Sequence, residues 1–300
     1  MAIPEKQLDT WTALGSVKQS AATYNTIKAV LEDKNAPYSG QDFKVFLQGS
    51  YGNDTNVYAD SDVDIVIRLD EVYYSDLDNL TEPAKASYEK ARVPGPYDLS
   101  HFKPDVFKWL QSPKNYGAAA KDGKKAIFVA GNGTRRDADV LVCAGLRRWW
   151  KESNGVDNNY AEGICFFLPD GTRVENFPEQ HAANCTTKHQ NTGDMFKPVV
   201  RIYKNMRNRM IDDGVIKAGL APSYYIEGML WNVPDDEFKT ATWGDAIVKT
   251  LNWILKANND KLLCANEMFY LTRPNSHHCW PTANFDAYIA AAAEYWKAWE

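Results

Sequence analysis

Long apolar runs are missing from this 300-residue sequence, and none approaches the roughly 20 residues that a membrane-spanning helix needs. The first residues, Met1 to Lys6, also lack the apolar segment of a secretory signal. A surplus of positive charge is missing too, since 34 Lys and Arg face 39 Asp and Glu, for a formal net charge of −5. This acidic balance argues against a permanent basic surface for nucleic acid. We therefore expect a cytoplasmic globular protein that binds neither membranes nor, constitutively, nucleic acid.

Cysteine is also scarce, and its spacing fits neither a disulfide framework nor a paired zinc motif. The five cysteines are Cys143, Cys165, Cys185, Cys264 and Cys279. An odd, dispersed set favours reduced thiols in a reducing compartment. His181, Cys185 and His189 are spaced to share one helix face, but no Cys-x2-Cys pair accompanies them. We favour core thiols and imidazoles at the surface or near the substrate over a zinc site.

The most informative feature present is an Asp-x-Asp pair at the start of an apolar segment. Asp62 and Asp64 lie on one face of a predicted strand because side chains alternate with period 2, whereas Val63, Ile65 and Ile67 point into a core. Neighbouring carboxylates repel each other unless a cation lies between them, and oxygen ligands of this kind suit Mg²⁺. The alternative is a run of solvated acids beside an edge strand. We assign to that solvated loop Asn53, Asp54, Asp60 and Ser61.

A Gly-Ser turn a short way upstream supplies what the carboxylates lack. Gln48-Gly49-Ser50 follows a predicted strand in which Phe43, Val45 and Leu47 alternate. Glycine permits a close backbone approach, and the backbone N–H groups with the serine hydroxyl are donors for a triphosphate. The turn and the carboxylates together indicate a site for nucleotidyl transfer.

Two-metal phosphoryl chemistry requires a third carboxylate on a neighbouring strand. The sequence predicts a hairpin from Lys124 to Cys143 that turns at Gly131 to Gly133. Asp137 and Asp139 share a face of its second strand, so either could reach the metals. We favour Asp139, because it directly precedes an apolar run as Asp64 does. For Asp137 we favour a surface acid paired with Arg135 or Arg136.

With these motifs in place, the sequence resembles the polymerase-β-like nucleotidyltransferases, and within them the cGAS/DncV-like (CD-NTase) family. Further segments extend the resemblance over almost the whole chain and are most similar to the bacterial clade E enzymes. They are Glu175-Asn176-Phe177-Pro178, Phe196 to Asn205, Pro222-Ser223-Tyr224-Tyr225-Ile226-Glu227 and Trp231 to Pro234. The resemblance implies a Mg²⁺-dependent enzyme with two ions, for which Mn²⁺ can substitute. It also implies a cyclic dinucleotide messenger that activates a downstream effector protein in anti-phage (CBASS) defence.

The predicted fold class is α/β (α+β): a polymerase-β-like nucleotidyltransferase lobe followed by a helical lobe like that of the oligoadenylate synthetases. Apolar residues recurring every three or four positions from Leu8 to Leu31 predict one long helix that braces the first lobe. A second hairpin turns at Asp170-Gly171. From about residue 190 the pattern is helical. We expect a catalytic lobe over residues 1–185, a nucleotide-binding lobe over residues 186–300, and nucleotides in a cleft between them.

The resemblance also implies roles for residues of the helical lobe. Lys204 matches a lysine that contacts the donor triphosphate, while Ser223 and Tyr224 match a pair that binds phosphate and stacks on a base. A lysine neutralises departing pyrophosphate, a hydroxyl at a helix start donates, and an aromatic face stacks on any base. Their alternatives are a solvated helix cation for Lys204, a plain N-cap for Ser223 and core packing for Tyr224.

Base choice is predicted at Asn176, which follows a strand and precedes Phe177-Pro178. Its amide can match the O4 and N3–H edge of uracil, and in the clade E enzymes an asparagine in the base pocket accompanies the use of uridine nucleotides. The alternative is a structural asparagine at a strand end. The substrates are thus UTP, ATP or both. Two other functions stay open: transfer onto a tRNA end, a protein or an antibiotic, and a nucleotide sensor without catalysis.

Overall fold

The computed structural model describes residues 3–15, 17–57, 62–150 and 159–299. Two residues of the predicted solvated loop, Asp60 and Ser61, lie outside these ranges. The chain forms two compact units. The first consists of Met1–Val17, Gly49–Ser61 and Pro178–Glu300, and the second of Lys18–Gln48 and Asp62–Phe177. We call them the helical unit and the sheet unit. The boundary predicted at residue 185 lies inside a helix, Pro178–Asn191.

The sheet unit contains one mixed sheet of seven strands over the residues that the structure describes. The strands are β1 (Phe43–Leu47), β2 (Val63–Asp76), β3 (Ala120–Asp122), β4 (Ile127–Val129), β5 (Ala138–Trp149), β6 (Tyr160–Phe167) and β7 (Arg173–Asn176). Their order is β1-β2-β5-β4-β3, and β6 pairs with both β5 and β7. The β2–β5 pair is parallel and the other pairs are antiparallel. Both predicted hairpins, β4–β5 and β6–β7, are confirmed.

The alternation of apolar residues along β2 explains why one face of the sheet is buried. Along β2, Val63, Ile65, Ile67 and Leu69 are buried at alternate positions, as expected for the core face of a strand. The unit's helices in chain order are α2 (Val17–Leu31), α4 (Glu82–Ala91) and α5 (Leu99–Leu110). Helix α5 contacts β5, and its Trp109 indole N–H donates to the Val30 carbonyl of α2 over 2.7 Å.

The remaining helices belong to the helical unit. They are α1 (Glu5–Trp11), α3 (Gly49–Gly52), α6 (Pro178–Asn191), α7 (Phe196–Asp212), α8 (Ser223–Trp231), α9 (Trp243–Lys256) and α10 (Thr282–Ala298). The helical pattern predicted from about residue 190 is confirmed by α7 to α10. Helix α7 is buried on most sides and contacts α1, α6, α8, α9 and α10. A helix in this position must bury its polar residues as well as its apolar ones.

The prediction of one long N-terminal helix is wrong, because the chain breaks between α1 and α2. At the break the N–H of Gly15 donates to the Asn56 carbonyl oxygen over 3.2 Å. A Cβ on Gly15 would lie 2.9 Å from the carbonyl carbon and oxygen of Val57, so only glycine permits this approach. The two pieces consequently belong mostly to different units.

Two further findings concern the cysteines and the length of the apolar helices. All five cysteines are buried free thiols. Within the described ranges, none of the helices combines the length and apolar character required to cross a bilayer.

Candidate active site

The sheet places two predicted metal ligands side by side. In the parallel β2–β5 register, Asp64 is the direct partner of Asp139. Directly paired residues point to the same face of a sheet, and neighbouring strands lie about 4.8 Å apart. On the other side of β2, the backbone N–H of Gln48 donates to the Asp64 carbonyl over 3.0 Å, one step beyond the Leu47–Ile65 pair. Gln48, Asp64 and Asp139 therefore form one row across three adjacent strands.

Asp62 and Asp137 lie where β2 and β5 begin. The N–H of Val63 donates to the Asp137 carbonyl over 3.0 Å, which aligns the two entrances to the strands. Asp62 is exposed and precedes Asp64 by two residues. The Asp137 carboxylate accepts a hydrogen bond from the Gly131 N–H over 2.6 Å. This contact closes the β4–β5 turn and gives Asp137 a structural role, while its pairing with Arg135 or Arg136 stays a prediction.

The electrostatics of this corner favour a bound cation. Burial raises the pKa of Asp139 above its ordinary value, and the nearby Asp62 and Asp137 carboxylates raise it further. Gln48 contributes a buried side-chain oxygen that has no hydrogen-bond partner among the residues described. A corner rich in carboxylates with an unmatched amide oxygen fits hard divalent cations such as Mg²⁺. Asp62, Asp64 and Asp139 could hold them.

The Gly-Ser turn forms the short helix α3 in the helical unit. Gly49 adopts a φ of +70°, a left-handed conformation that favours glycine. Its carbonyl accepts the Asn53 N–H over 3.2 Å, and the Ser50 carbonyl accepts the Thr55 N–H over 2.9 Å. Residues 53–55 thus hold the turn through its backbone.

Lys204 is in an environment that the sequence did not predict. Its side chain has no exposed surface, so the interpretation as a solvated helix cation is wrong. Its Nζ donates to Glu227 Oε1 over 2.6 Å and to both the carbonyl and the hydroxyl of Thr55 over 3.1 Å. All three ammonium hydrogens are matched by these acceptors. The predicted contact with a triphosphate stays a prediction, and it would require Lys204 to release Glu227.

Glu227 is the functional candidate that the sequence analysis missed. Its carboxylate accepts hydrogen bonds from Thr55 Oγ1 (2.5 Å), Asn53 Nδ2 (3.1 Å) and His181 Nε2 (2.7 Å) in addition to Lys204. Burial alone raises the pKa of Glu227, but the Lys204 charge and the His181 hydrogen bond outweigh it and hold the pKa well below its ordinary value. Asn53 is buried, so its assignment to a solvated loop is wrong.

His181, Cys185 and Glu227 also place one potential metal-ligating atom each within 4.8 Å of one another. We do not interpret them as a metal site. Both Glu227 oxygens are already engaged by the four donors above, and these match the carboxylate without a metal ion. The predicted third member of this helix face, His189, is instead 3.6 Å from Asp194.

Ser223 and Tyr224 begin helix α8. Pro222 holds the N-cap position and no side chain caps the helix, so the plain N-cap interpretation of Ser223 is wrong. The Ser223 hydroxyl lies 3.3 Å from Arg207 Nη1. Tyr224 is partly buried, stacks on the His181 ring at 4.9 Å, and its hydroxyl accepts from Asn266 Nδ2 over 2.9 Å. One ring face is thus already occupied.

Asn176 ends β7, and the sheet does not bring it next to the carboxylates. It pairs through Ile164 to Gly145, six residues along β5 from Asp139, which corresponds to roughly 20 Å of strand. Its side-chain oxygen accepts the N–H of Phe177 over 2.9 Å. This bond supports the alternative role at a strand end, and it leaves the two amide hydrogens for other acceptors.

Comparison with known proteins identifies the family. Residues 183–297 match the model of the cGAS/DncV-like nucleotidyltransferase C-terminal helical domain. The cyclic UMP-AMP synthase of Rhodothermus marinus is 35% identical over 268 residues, which cover 89% of this chain and 88% of that protein. This chain belongs to the cGAS/DncV-like nucleotidyltransferases. The cyclic dipurine nucleotide synthase of Elizabethkingia meningoseptica is 36% identical over 275 residues, covering 90% and 91%.

A solved structure agrees with the assignment of the fold. The Rhodothermus marinus cyclic UMP-AMP synthase, determined with Apcpp and Upnpp, matches with a TM-score of 0.87 and 32% identity, covering 99% of this chain and 97% of that chain. The predicted fold class is therefore confirmed, from the carboxylate-bearing mixed sheet to the C-terminal helices.

Proposed function

We propose that this protein is a divalent-metal-dependent nucleotidyltransferase that joins nucleoside triphosphates into a cyclic dinucleotide. The observation that carries the proposal is the direct pairing of Asp64 with Asp139, with Asp62 two residues before Asp64. Relatives that match nearly the whole chain are synthases of cyclic nucleotides. An intact set of three acids argues against a nucleotide sensor that has lost catalysis.

In the proposed reaction, Asp62, Asp64 and Asp139 hold two Mg²⁺ ions, or Mn²⁺ in their place. When bound, the ions polarise the α-phosphate and pyrophosphate oxygens and lower the pKa of the attacking ribose hydroxyl. Asp139 accepts the proton of that hydroxyl. The ribose oxygen bonds to the α-phosphorus as the bond to pyrophosphate breaks, which gives a linear dinucleotide. A second attack of the same kind closes the ring and releases the second pyrophosphate.

We assign binding of the nucleotides to residues at the strand end, the turn and the helices. They are Gln48, Gly49, Ser50, Asn176, Ser223 and Tyr224. Gly49 and Ser50 offer backbone and hydroxyl donors to the donor triphosphate, and Ser223 has Arg207 beside it. For Tyr224, which stacks on His181, we propose stacking on a base as well. For Lys204 we propose an indirect role: its ammonium donates to Thr55 and Glu227, and it acts on the triphosphate through Thr55.

Base choice is the least constrained part of the proposal. One relative is a cyclic UMP-AMP synthase and another a dipurine synthase, so family membership does not fix the bases. We propose that Asn176 reads uracil and that the product contains uridine. We further propose that the product activates an effector protein in anti-phage (CBASS) defence in the cytoplasm.

Incubation with the four labelled nucleoside triphosphates and Mg²⁺ tests the proposal. The expected result is a phosphatase-resistant product, separated by thin-layer chromatography and identified by mass, with no other acceptor present. If label is instead transferred only after addition of tRNA, protein or an antibiotic, the enzyme acts on another acceptor and the synthase proposal is wrong.

A further inference from the structure

Four donors converge on a single buried carboxylate in the helical unit. Glu227 is 2% exposed and accepts from Lys204, Thr55, Asn53 and His181 at 2.5–3.1 Å. Two of these donors belong to the segment that follows the Gly-Ser turn, more than 170 residues away in sequence. A buried charge with this many partners is fully satisfied, which fixes the geometry of every group around it.

Helix α7 directs a row of cations at the same segment. Lys197, Arg201 and Lys204 are spaced by four and three residues, so they lie on one helix face. Lys197 Nζ is 3.3 Å from the Asp54 carboxylate, Arg201 Nη1 donates to the Asp54 carbonyl over 2.6 Å, and Lys204 donates to Thr55. We call these three cations and Glu227 the loop clamp.

We propose that the loop clamp positions the Gly49-Ser50 turn for the donor triphosphate, an inference that rests on the proposed function. The clamp holds residues 53–55 by their side chains and carbonyls. The N–H groups of Asn53 and Thr55 in turn hold the Gly49 and Ser50 carbonyls. The members of the clamp are thus positioning residues, which act on the nucleotide through the turn and do not touch it.

Stability alone does not account for this arrangement. Buried ion pairs contribute little net stability compared with apolar replacements, because desolvation offsets their attraction. Their best-attested use is to select one geometry among several. A turn that must present backbone donors to a triphosphate gains from such selection, because preorganised donors need no rearrangement when the substrate binds.

The sharpest test is Thr55→Val, which removes the hydroxyl link and keeps the size of the side chain and the Lys204–Glu227 pair. Its matched control is Thr250→Val, another fully buried threonine of the helical unit, whose hydroxyl donates to the Ala246 carbonyl in α9. Thr55→Val removes two buried hydrogen bonds, one donated to Glu227 and one accepted from Lys204. This predicts a rise of about five-fold or more in the KM for nucleotide, with kcat within about two-fold of the parent. Backbone amide exchange at Asn53 and Thr55, measured without nucleotide, should accelerate by a similar factor.

Thr250→Val should leave both readouts at the parent values even if it lowers the melting temperature equally. If the two variants show the same KM and the same exchange over residues 49–57, the clamp is merely structural and the inference is wrong. Should Thr55→Val fail to fold, Lys197→Met replaces it in the same two measurements, and unchanged KM and unchanged exchange would contradict the inference. This variant leaves no buried charge unpaired, because Asp54, the partner of Lys197, is exposed. If the parent makes no product, the proposed function fails, whereas the exchange measurement still decides whether the clamp orders the turn.

Discussion

Replacement of Lys204 by methionine distinguishes a structural role, as the buried partner of Glu227, from a direct contact with the donor triphosphate. Methionine fills nearly the same volume, so the change opens no cavity and removes only the charge and its hydrogen bonds. Glu227 would then remain buried with Thr55, Asn53 and His181 as donors but without its 2.6 Å cationic partner. The structure therefore predicts a large loss of stability.

The expected magnitude follows from the burial of both partners, which are 0% and 3% exposed at their side chains. Removing one member of a buried pair costs about 3–5 kcal/mol, because the other charge stays desolvated and uncompensated. About 1 kcal/mol shifts the melting temperature of a domain of roughly 150–250 residues by about 2–4 °C, so the expected fall is about 6–20 °C. The double variant Lys204→Met/Glu227→Gln should recover much of this loss, because neither charge then remains unpaired.

Thermal unfolding followed by circular dichroism measures the effect, and calorimetry with a nonhydrolysable nucleotide gives the companion readout. A direct contact with the triphosphate predicts instead that Lys204→Ala weakens nucleotide binding by about 1–3 kcal/mol. Melting of Lys204→Met within about 2 °C of the parent, together with such a loss of affinity, would refute the structural reasoning and restore the direct contact.

Three further predictions concern the acids and the base. Asp62→Asn/Asp64→Asn should keep the fold, since it removes like charge near Asp139, and should lower product formation more than about tenfold; activity closer to the parent contradicts the metal assignment. Glu227→Gln should melt at a lower temperature than the parent at pH 7. Because folding lowers the pKa of Glu227, the difference in melting temperature between parent and variant should shrink as the pH falls below the ordinary value of 4.5. A difference that stays constant with pH contradicts this prediction. Asn176→Ser should shift incorporation from UTP toward purines when all four nucleotides compete; an unchanged product ratio, or a parent that joins only purines, shows that Asn176 does not read the base.

The carboxylate row was predictable because its signals are local. Asp64 and Asp139 each precede an apolar run, and two such strands in parallel register bring the acids together. The break between α1 and α2 was not predictable in this way. Gly15 interrupts an otherwise continuous helical pattern only because the backbone of Asn56 and Val57 approaches it, and that approach is a long-range contact.

Lys204 shows the same limit at the site. It lies four residues after the buried Val200, beside the apolar row of α7, which was the one available signal that it is buried. Its partner Glu227 follows 23 residues later and Thr55 precedes it by 149 residues. Neither distance leaves a periodic pattern, so sequence reasoning could place the lysine on a helix but could not find what neutralises it.

The interleaved path of the chain also has a consequence for biosynthesis. Residues 49–61 belong to a unit whose other parts are the first 17 residues and the last 123, beginning at Pro178. The hydrogen bond from Thr55 to Glu227 cannot form until the ribosome has added Glu227, 172 residues later. At bacterial rates of about 5–20 residues per second, this takes roughly 9–35 s. Chains that terminate before Glu227 therefore carry the Gly-Ser turn without the carboxylate to which Thr55 donates in the full-length fold.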